Sequence, residues 1–100
     1  MKIEVTSRHE AISDALRDYA AQRLTRVEHL GTDFPSAEIV FDQGGEGLTC
    51  EIILQARRGE PIIARASGHE ARAVVDDAVG KIETQVARAK DRRDDRRKAS

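Results

Sequence analysis

The sequence predicts a small α+β protein in which a four-stranded sheet carries two helices on one face, in the order β-α-β-β-β-α. Four short segments alternate apolar and polar residues, as half-buried strands do. Two longer segments repeat apolar residues at spacings of three and four, which is the pattern of an amphipathic helix. Each helix has one apolar stripe to bury, and the inward faces of the strands offer a common surface. A two-layer sandwich is therefore expected.

The length and composition suit one domain. The chain has 100 residues, of which 39% are hydrophobic, and this is enough for one modest core. We expect the domain to cover residues 1–91 and a basic tail, residues 92–100, to fray because it lacks an apolar face. There is neither a run of 18 apolar residues nor an apolar signal stretch at the start. A soluble, cytoplasmic protein is the expectation.

The first strand and the first helix are predicted within residues 1–30. Residues 2–6 alternate and predict a short strand. A helix is predicted over about residues 10–30, with either Ser7 or Ser13 placed to cap its start. Its stripe consists of Ile12, Leu16, Ala20, Leu24, Val27 and Leu30.

Three further segments alternate in the same way, and a second helix follows them. The strands are predicted at residues 37–42, 48–57 and 62–67. Glycines at positions 44, 45 and 47 indicate a turn between the first two of these. Ala64 and Ala66 share the inward face of the last strand, and their small size leaves room for a helix. That helix is predicted from about residue 69 to at least residue 90.

The net charge of −1 hides a division of sign along the chain. Residues 1–80 hold nine basic and fourteen acidic side chains, whereas residues 81–100 hold eight and four. The last twenty residues are therefore basic by four charges on an otherwise acidic protein. Such segregation is typical of a directed electrostatic surface, although a solvated helical tail shows it too.

Helical phase places three basic residues of the second helix on the same side. At about 100° per residue, Lys81, Arg88 and Arg92 fall in one sector of the second helix, beside its apolar stripe. Arg23 and Arg26, three residues apart, are neighbours on the first helix. We expect both sets to border the groove between the helices. Cations repeated along a helix suit a phosphate backbone, because each contact releases counterions and arginine binds phosphate through two bonds.

The small number of aromatic residues argues against binding of single-stranded RNA on the sheet. Only Tyr19, Phe34 and Phe41 are aromatic, and Phe41 is predicted to point inward. The sheet therefore lacks the stacking platform that binds single-stranded RNA. Structured RNA contacted through its backbone is the better match, and such contacts position a protein without reading sequence.

Five stretches spread along the chain point to a known family. They are residues 12–17 (ISDALR), 26–28 (RVE), 64–70 (ARASGHE), 76–81 (DDAVGK) and 88–92 (RAKDR). Together, in this order, they resemble the family of ribosome hibernation-promoting factors and ribosome-associated translation inhibitors. The resemblance covers essentially the whole chain and is to the short form, since the dimerisation domain of the long form has no counterpart here.

The resemblance implies a fold, a partner and a set of contacts. The family has a β-α-β-β-β-α fold related in layout to double-stranded RNA-binding domains. Its members occupy the messenger and transfer RNA sites of the small ribosomal subunit in stationary phase or stress and inhibit translation. The implied partner is thus the small subunit and its ribosomal RNA, bound by a protein that is monomeric when free and needs no cofactor. The implied rRNA-binding residues are Arg23, Arg26, Lys81, Arg88, Lys90 and Arg92.

The chain also departs from the family. Members often carry lysines on the second and third strands, where acidic residues stand here, and the helices are left to supply the affinity. Those acidic residues are Glu38, Asp42, Glu46 and Glu51. Candidate secondary RNA contacts are Arg8, Arg57, Arg58 and Arg93. For Arg57 and Arg58, at a hairpin tip, a solvated turn is the alternative.

Residues that often carry chemistry form no site in this pattern. His9, His29 and His69 lie near predicted helix ends without a paired nucleophile or orienting group. Cys50, the single cysteine, shares the inward face of its strand and is predicted to be a small buried hydrophobe. No Cys/His cluster has metal-ligand spacing. Neither an enzyme nor a metal site is expected.

A second class of function stays open on the sequence alone. The balance of −5 over residues 1–80 is unusual for a nucleic-acid-binding protein. It is compatible with a regulatory protein-interaction module whose basic tail binds an acidic protein partner.

Overall fold

The order of elements follows the predicted sequence pattern. The computed structural model describes residues 1–8, 12–30, 34–45 and 47–99, with the backbone alone for residues 91–99. Its elements are β1 (Lys2–Ser7), α1 (Asp14–Thr25), a 3₁₀ segment (Arg26–Leu30), β2 (Ser36–Gly44), β3 (Gly47–Gln55), β4 (Ile62–Gly68) and α2 (Ala71–Ala99). The predicted order β-α-β-β-β-α is confirmed.

The four strands form one sheet in the order β1-β2-β3-β4. The chain crosses over through α1 between β1 and β2, so these two strands are parallel, whereas hairpins make the other two pairs antiparallel. The register aligns Val5, Ile39, Ile52 and Ala64 in one row across the sheet. Because side chains alternate along each strand, this row and its neighbours give the sheet one apolar face.

The core lies between that face and the helices. The inward residues Ile39, Ile52 and Leu54 are fully buried. Helix α2 packs mainly on β4 and β3, while α1 lies against α2 and β1. The stripe of α2 that meets the sheet consists of Val75, Ala78, Val79, Ile82 and Val86, all fully buried. Both helices therefore cover the same face, as the period of their apolar residues predicted.

Helix α1 begins later than predicted. The predicted start at residue 10 lies outside the described residues, and the described Ile12 and Ser13 are not helical. Ser13 is the N-cap: its backbone is extended, and its hydroxyl accepts a hydrogen bond of 3.1 Å from the amide of Leu16. This bond satisfies an amide that has no partner within the helix. The helix therefore starts at Asp14, and Ser13, not Ser7, caps it.

Helix α2 begins two residues later than predicted and continues past the predicted domain end. A carboxylate oxygen of Glu70 accepts a 2.9 Å hydrogen bond from the amide of Ala73, so the first turn is capped from just outside the helix. The backbone stays helical to Ala99, although we expected the domain to end at residue 91. That residues 92–100 fray stays a prediction.

The β2–β3 hairpin depends on one glycine. Gly47 has φ +95°, a conformation that L side chains rarely adopt. A Cβ atom there would also lie 2.5 Å from the carbonyl oxygen of Gly68, in the neighbouring strand. At Gly45, two residues earlier in the same turn, an added Cβ atom would meet no other atom within 4 Å. Two glycines of one turn thus have different structural roles.

Replacing Gly47 by alanine is expected to lower the free energy of unfolding by about 1–3 kcal/mol, through backbone strain and the clash with Gly68. Gly45→Ala is the matched control and should change it by less than about 0.5 kcal/mol. Urea unfolding monitored by circular dichroism measures both. Equal effects of the two substitutions would contradict this account of the turn.

Candidate nucleic-acid interface

A cationic groove runs between the free edge of the sheet and α2. β4 is one of the two edge strands of the sheet, and residues 62–65 form one wall of the groove. The other wall is the exposed side of α2, and the open space between them is about 750 Å³. Arg65 lines the groove from the strand, with its side chain on the outer face of the sheet opposite Glu51, and Lys81 and Arg88 supply two cations from the helix. These three residues are called the β4 flank below.

Side chains of α2 donate hydrogen bonds to backbone carbonyl groups along this edge of the sheet. The ammonium group of Lys81 donates a 2.9 Å hydrogen bond to the carbonyl oxygen of Arg65, and the amide of Gln85 donates one of 2.9 Å to that of Ile63. Lys81 also lies 3.7 Å from a carboxylate oxygen of Asp77. These contacts cover acceptors that an edge strand otherwise leaves open. They also fix the ammonium group of Lys81 at the mouth of the groove.

The predicted cationic stripe of α2 is only partly described. Arg88 follows Lys81 by seven residues, about two helical turns, and is exposed in the same groove. Lys90 is exposed too, but it follows Lys81 by nine residues and lies about half a turn away. The side chains of Arg92 and Arg93 lie outside the described residues. The groove therefore brings together Lys81 and Arg88 and leaves Lys90 on the other side of the helix.

That other side of α2 carries a cluster joined to α1. The hydroxyl of Tyr19 donates a 2.6 Å hydrogen bond to Asp76, and Nε of Arg23 donates one of 3.0 Å to the same carboxylate oxygen. The guanidinium carbon of Arg72 lies 5.0 Å from the centre of the Tyr19 ring, within the range of a cation–π contact. The cluster links the two helices where they pack together.

Four cations lie on this side of α2, called the α1 flank below. Arg72 and Lys90 are eighteen residues apart, about five full turns, so they share one side of the helix. Arg26 is exposed at the start of the 3₁₀ segment, which packs on α2. The α1 flank consists of Arg23, Arg26, Arg72 and Lys90.

The two flanks correct one expectation and add two residues. We expected both basic sets to border the groove between the helices, but Lys81 and Arg88 line the groove between α2 and β4. The reason is helical phase, because Lys81 and Arg88 lie next to the buried stripe of α2 on the side that faces β4. Arg65 and Arg72 were not predicted as site residues. Arg65 was detectable as the outward residue between two inward alanines, and Arg72 by its phase with Lys90.

The predicted secondary residues lie at opposite ends of the sheet. Arg57 and Arg58 are exposed in the turn between β3 and β4, at the end of the sheet reached by the later turns of α2. Arg8 follows β1 at the other end, where its guanidinium lies 3.9 Å from Asp42. Arg57 and Arg58 are thus at the same end as Arg88, and Arg8 is remote from it.

The described residues give little support for catalysis, metal binding or membrane insertion. Cys50 is fully buried, and burial raises the pKa of its thiol to about 12, so the predicted role as a small hydrophobe is confirmed. His29 and His69 are exposed, and His9 lies outside the described residues. No group of three potential metal ligands occurs within the described part of the chain. Neither helix, over the residues described, has the length and apolar character needed to cross a bilayer.

Comparison with known proteins decides the family. The model of the family described as "Sigma 54 modulation protein / S30EA ribosomal protein" matches residues 3–94. This chain belongs to that family. A ribosome hibernation promoting factor of Pseudomonas putida is 24% identical over 92 residues, which are 92% of this chain and 89% of that protein. The predicted family is confirmed.

Solved structures agree with this assignment. The N-terminal domain of Protein Y from Thermus thermophilus is 30% identical, with a TM-score of 0.76, over 88% of this chain and 98% of that one. A ribosomal subunit interface protein from Coxiella burnetii has the same TM-score at 24% identity, over 90% of this chain and 98% of that one, and at this identity the likeness shows the fold alone. The predicted α+β fold is confirmed.

The link between the helices is expected to weaken in acid. The hydrogen bond from Tyr19 lowers the pKa of Asp76 below its ordinary 3.8, and Arg23 adds to this. A lowered pKa in the folded state means that ionised Asp76 stabilises the fold above pH 3.8 and that this contribution is lost as the pH falls through the lowered pKa.

Asp76→Asn should therefore be less stable than the parent at neutral pH, and the difference should shrink below pH 3.8. Thermal unfolding between about pH 7 and about pH 2.5 measures it. Asp77→Asn, which removes the same charge from the exposed neighbouring position, is the control and should leave Tyr19 and Arg23 paired. A difference that stays constant over this whole range would refute the role given to Asp76.

Proposed function

We propose that this protein binds ribosomal RNA of the small subunit and inhibits translation by occupying the sites of messenger and transfer RNA. It would act as a ribosome hibernation factor in the cytoplasm, as a monomer when free, in stress or stationary phase. The observation that carries the proposal is the family match over residues 3–94, since this span includes both flanks of α2 and all of the fold except the first residue of β1 and the last five of α2. The P. putida relative bears the name of a hibernation promoting factor.

The charges of the described residues support an RNA partner. The groove contains the cations Lys81 and Arg88 of the β4 flank with Asp77 as the acid among its lining residues, and Arg65 lies at its edge, although the chain as a whole is acidic. Arginine and lysine side chains that line an open groove suit phosphate oxygens, which lie along the outside of any RNA helix. The helical backbone beyond residue 90 extends α2 with a basic sequence, and we propose that Arg92 and Arg93 add phosphate contacts there.

A binding role is more consistent with this site than a reaction. The groove is open, and among its lining residues no nucleophile is hydrogen-bonded to a general base. Its protein hydrogen bonds hold the ammonium group of Lys81 and the amide of Gln85 in place at the sheet edge. We propose that the protein acts by excluding other ligands from the subunit.

The alternative, an acidic protein as partner, makes a different prediction for recovery from cells. If the partner is ribosomal RNA, nuclease treatment should remove the bound material and small-subunit RNA should be present before treatment. Recovery of a partner that resists nuclease and contains no ribosomal RNA would favour the protein-interaction module.

Reversing one groove cation is expected to weaken binding more than reversing a cation elsewhere. Arg88→Glu should lower affinity for isolated small subunits on the order of tenfold, because it replaces a phosphate contact by repulsion. Lys2→Glu changes the charge equally at an exposed position of β1, remote from the groove, and is the matched control. Co-sedimentation at several salt concentrations measures both.

The proposal has two clear ways to fail in this experiment. It fails if the parent protein remains in the supernatant even at low salt. It also fails if Lys2→Glu weakens binding as much as Arg88→Glu does. Circular dichroism of each variant separates lost binding from lost folding. Arg88 is exposed, so the fold should persist.

A further inference from the structure

The cations of α2 are divided between two sides of the helix. The β4 flank has three cations, with Asp77 beside Lys81 and Glu51 opposite Arg65 as the acids. The α1 flank has four cations and two acids. The acids are Asp76, which is paired with Arg23, and Glu83, which lies on the same side of the helix. The β4 flank is thus positive by about one charge and the α1 flank by about two, so the surplus is not concentrated on one surface.

The two flanks are too far apart around the helix for one backbone to follow both. Lys81 and Lys90 differ by about half a turn, and a helix with its side chains is about 10–12 Å wide. A single phosphate strand lying along one flank would leave the other facing away from it. Both sets of cations are used only if negative charge lies on each side of the helix.

The surface between the flanks does not obstruct such an arrangement. Going around α2 from one flank to the other, this exposed strip carries the small residues Ala73, Gly80, Thr84 and Ala87. Within residues 71–90, whose side chains are described, Asp77 is the acid on this strip, and it lies 3.7 Å from Lys81. An RNA surface can therefore come close to the helix while phosphates on either side reach the cations.

We propose that α2 binds between two RNA backbone segments, with the β4 flank on one and the α1 flank on the other. This inference rests on the proposed function and deepens it, because it states the geometry of the RNA that the protein recognises. The partner is structured RNA with two phosphate backbones separated by about the width of a helix, as in a groove or at a junction. A single extended strand does not meet this requirement.

The first test removes one charge from each flank. Arg88→Gln and Lys90→Gln neutralise exposed cations two residues apart in sequence but on opposite flanks, and Lys2→Gln is the control. Each flank variant should reduce the slope of log affinity against log salt by about 0.9, and the double variant by about twice that. The probe is the isolated small subunit, and binding is measured by co-sedimentation from low to high salt.

The outcomes separate this inference from the proposed function. If Lys90→Gln and a second α1-flank variant, Arg26→Gln, both bind like the parent while Arg88→Gln is weakened, the protein binds RNA through one flank and the inference is wrong. If the parent itself does not bind the subunit, the proposed function fails. Additive losses from both flanks support the inference.

The second test locates the two backbones. An iron chelate that generates hydroxyl radicals is attached to a cysteine at Thr84→Cys, on the groove, or at Gln22→Cys, on the exposed face of α1. Cys50 is fully buried, so the introduced cysteine is the site of attachment. In variants that co-sediment, the chelates at the two positions should cleave different ribosomal RNA strands. The two strands can belong to one duplex or to two separate segments. Cleavage of the same strand from both positions would overturn the inference.

Discussion

The close packing of α2 on the edge of the sheet determines most of the features described above. Ala64 and Ala66 present little more than methyl groups on the inward face of β4, so α2 can bury its valine and isoleucine stripe directly over β3 and β4. This position brings Lys81 and Gln85 within 2.9 Å of the carbonyl oxygens of the edge strand. A larger residue at either alanine would move the helix outward and open these hydrogen bonds. The groove, its cations and the protection of the sheet edge therefore depend on two small side chains.

The electrostatics follow from this arrangement and not from total charge. With a net charge of −1, the protein has no general attraction to RNA, and acidic residues occupy the outer face of the sheet at Glu4, Glu38 and Glu51. Those groups repel phosphate, while the two flanks of α2 attract it. If the protein binds RNA as proposed, this distribution of charge would orient it with its helices toward the RNA and its sheet away from it. Exposed cations interact over about 8 Å at physiological ionic strength, so this orientation is determined close to the surface.

Much of the fold could be predicted from the sequence because two periodicities were unambiguous. Alternation predicted the four strands, and the register places Val5, Ile39, Ile52 and Ala64, one residue from each, in one row on the apolar face. The start of α1 was wrong by about four residues, since a side-chain hydrogen bond at Ser13 decides it and periodicity does not. For the site, helical phase grouped Lys81 with Arg88 but did not indicate which neighbour they would face. The pairing of Arg23 with Asp76 joins residues 53 positions apart, and no local pattern shows such a contact.

The parallel pairing of β1 with β2 affects the order in which the two flanks form during folding. β2, β3 and β4 are consecutive strands joined by short turns, and α2 follows at once, so these contacts form at a small cost in chain entropy. β1 reaches its partner only after the chain has passed through α1, and α1 itself packs against β1. We therefore expect the groove beside β4 to form with the hairpins, and the surface beside α1 to form when the first strand docks. A nascent or partly opened chain would hold one of its two cationic surfaces before the other.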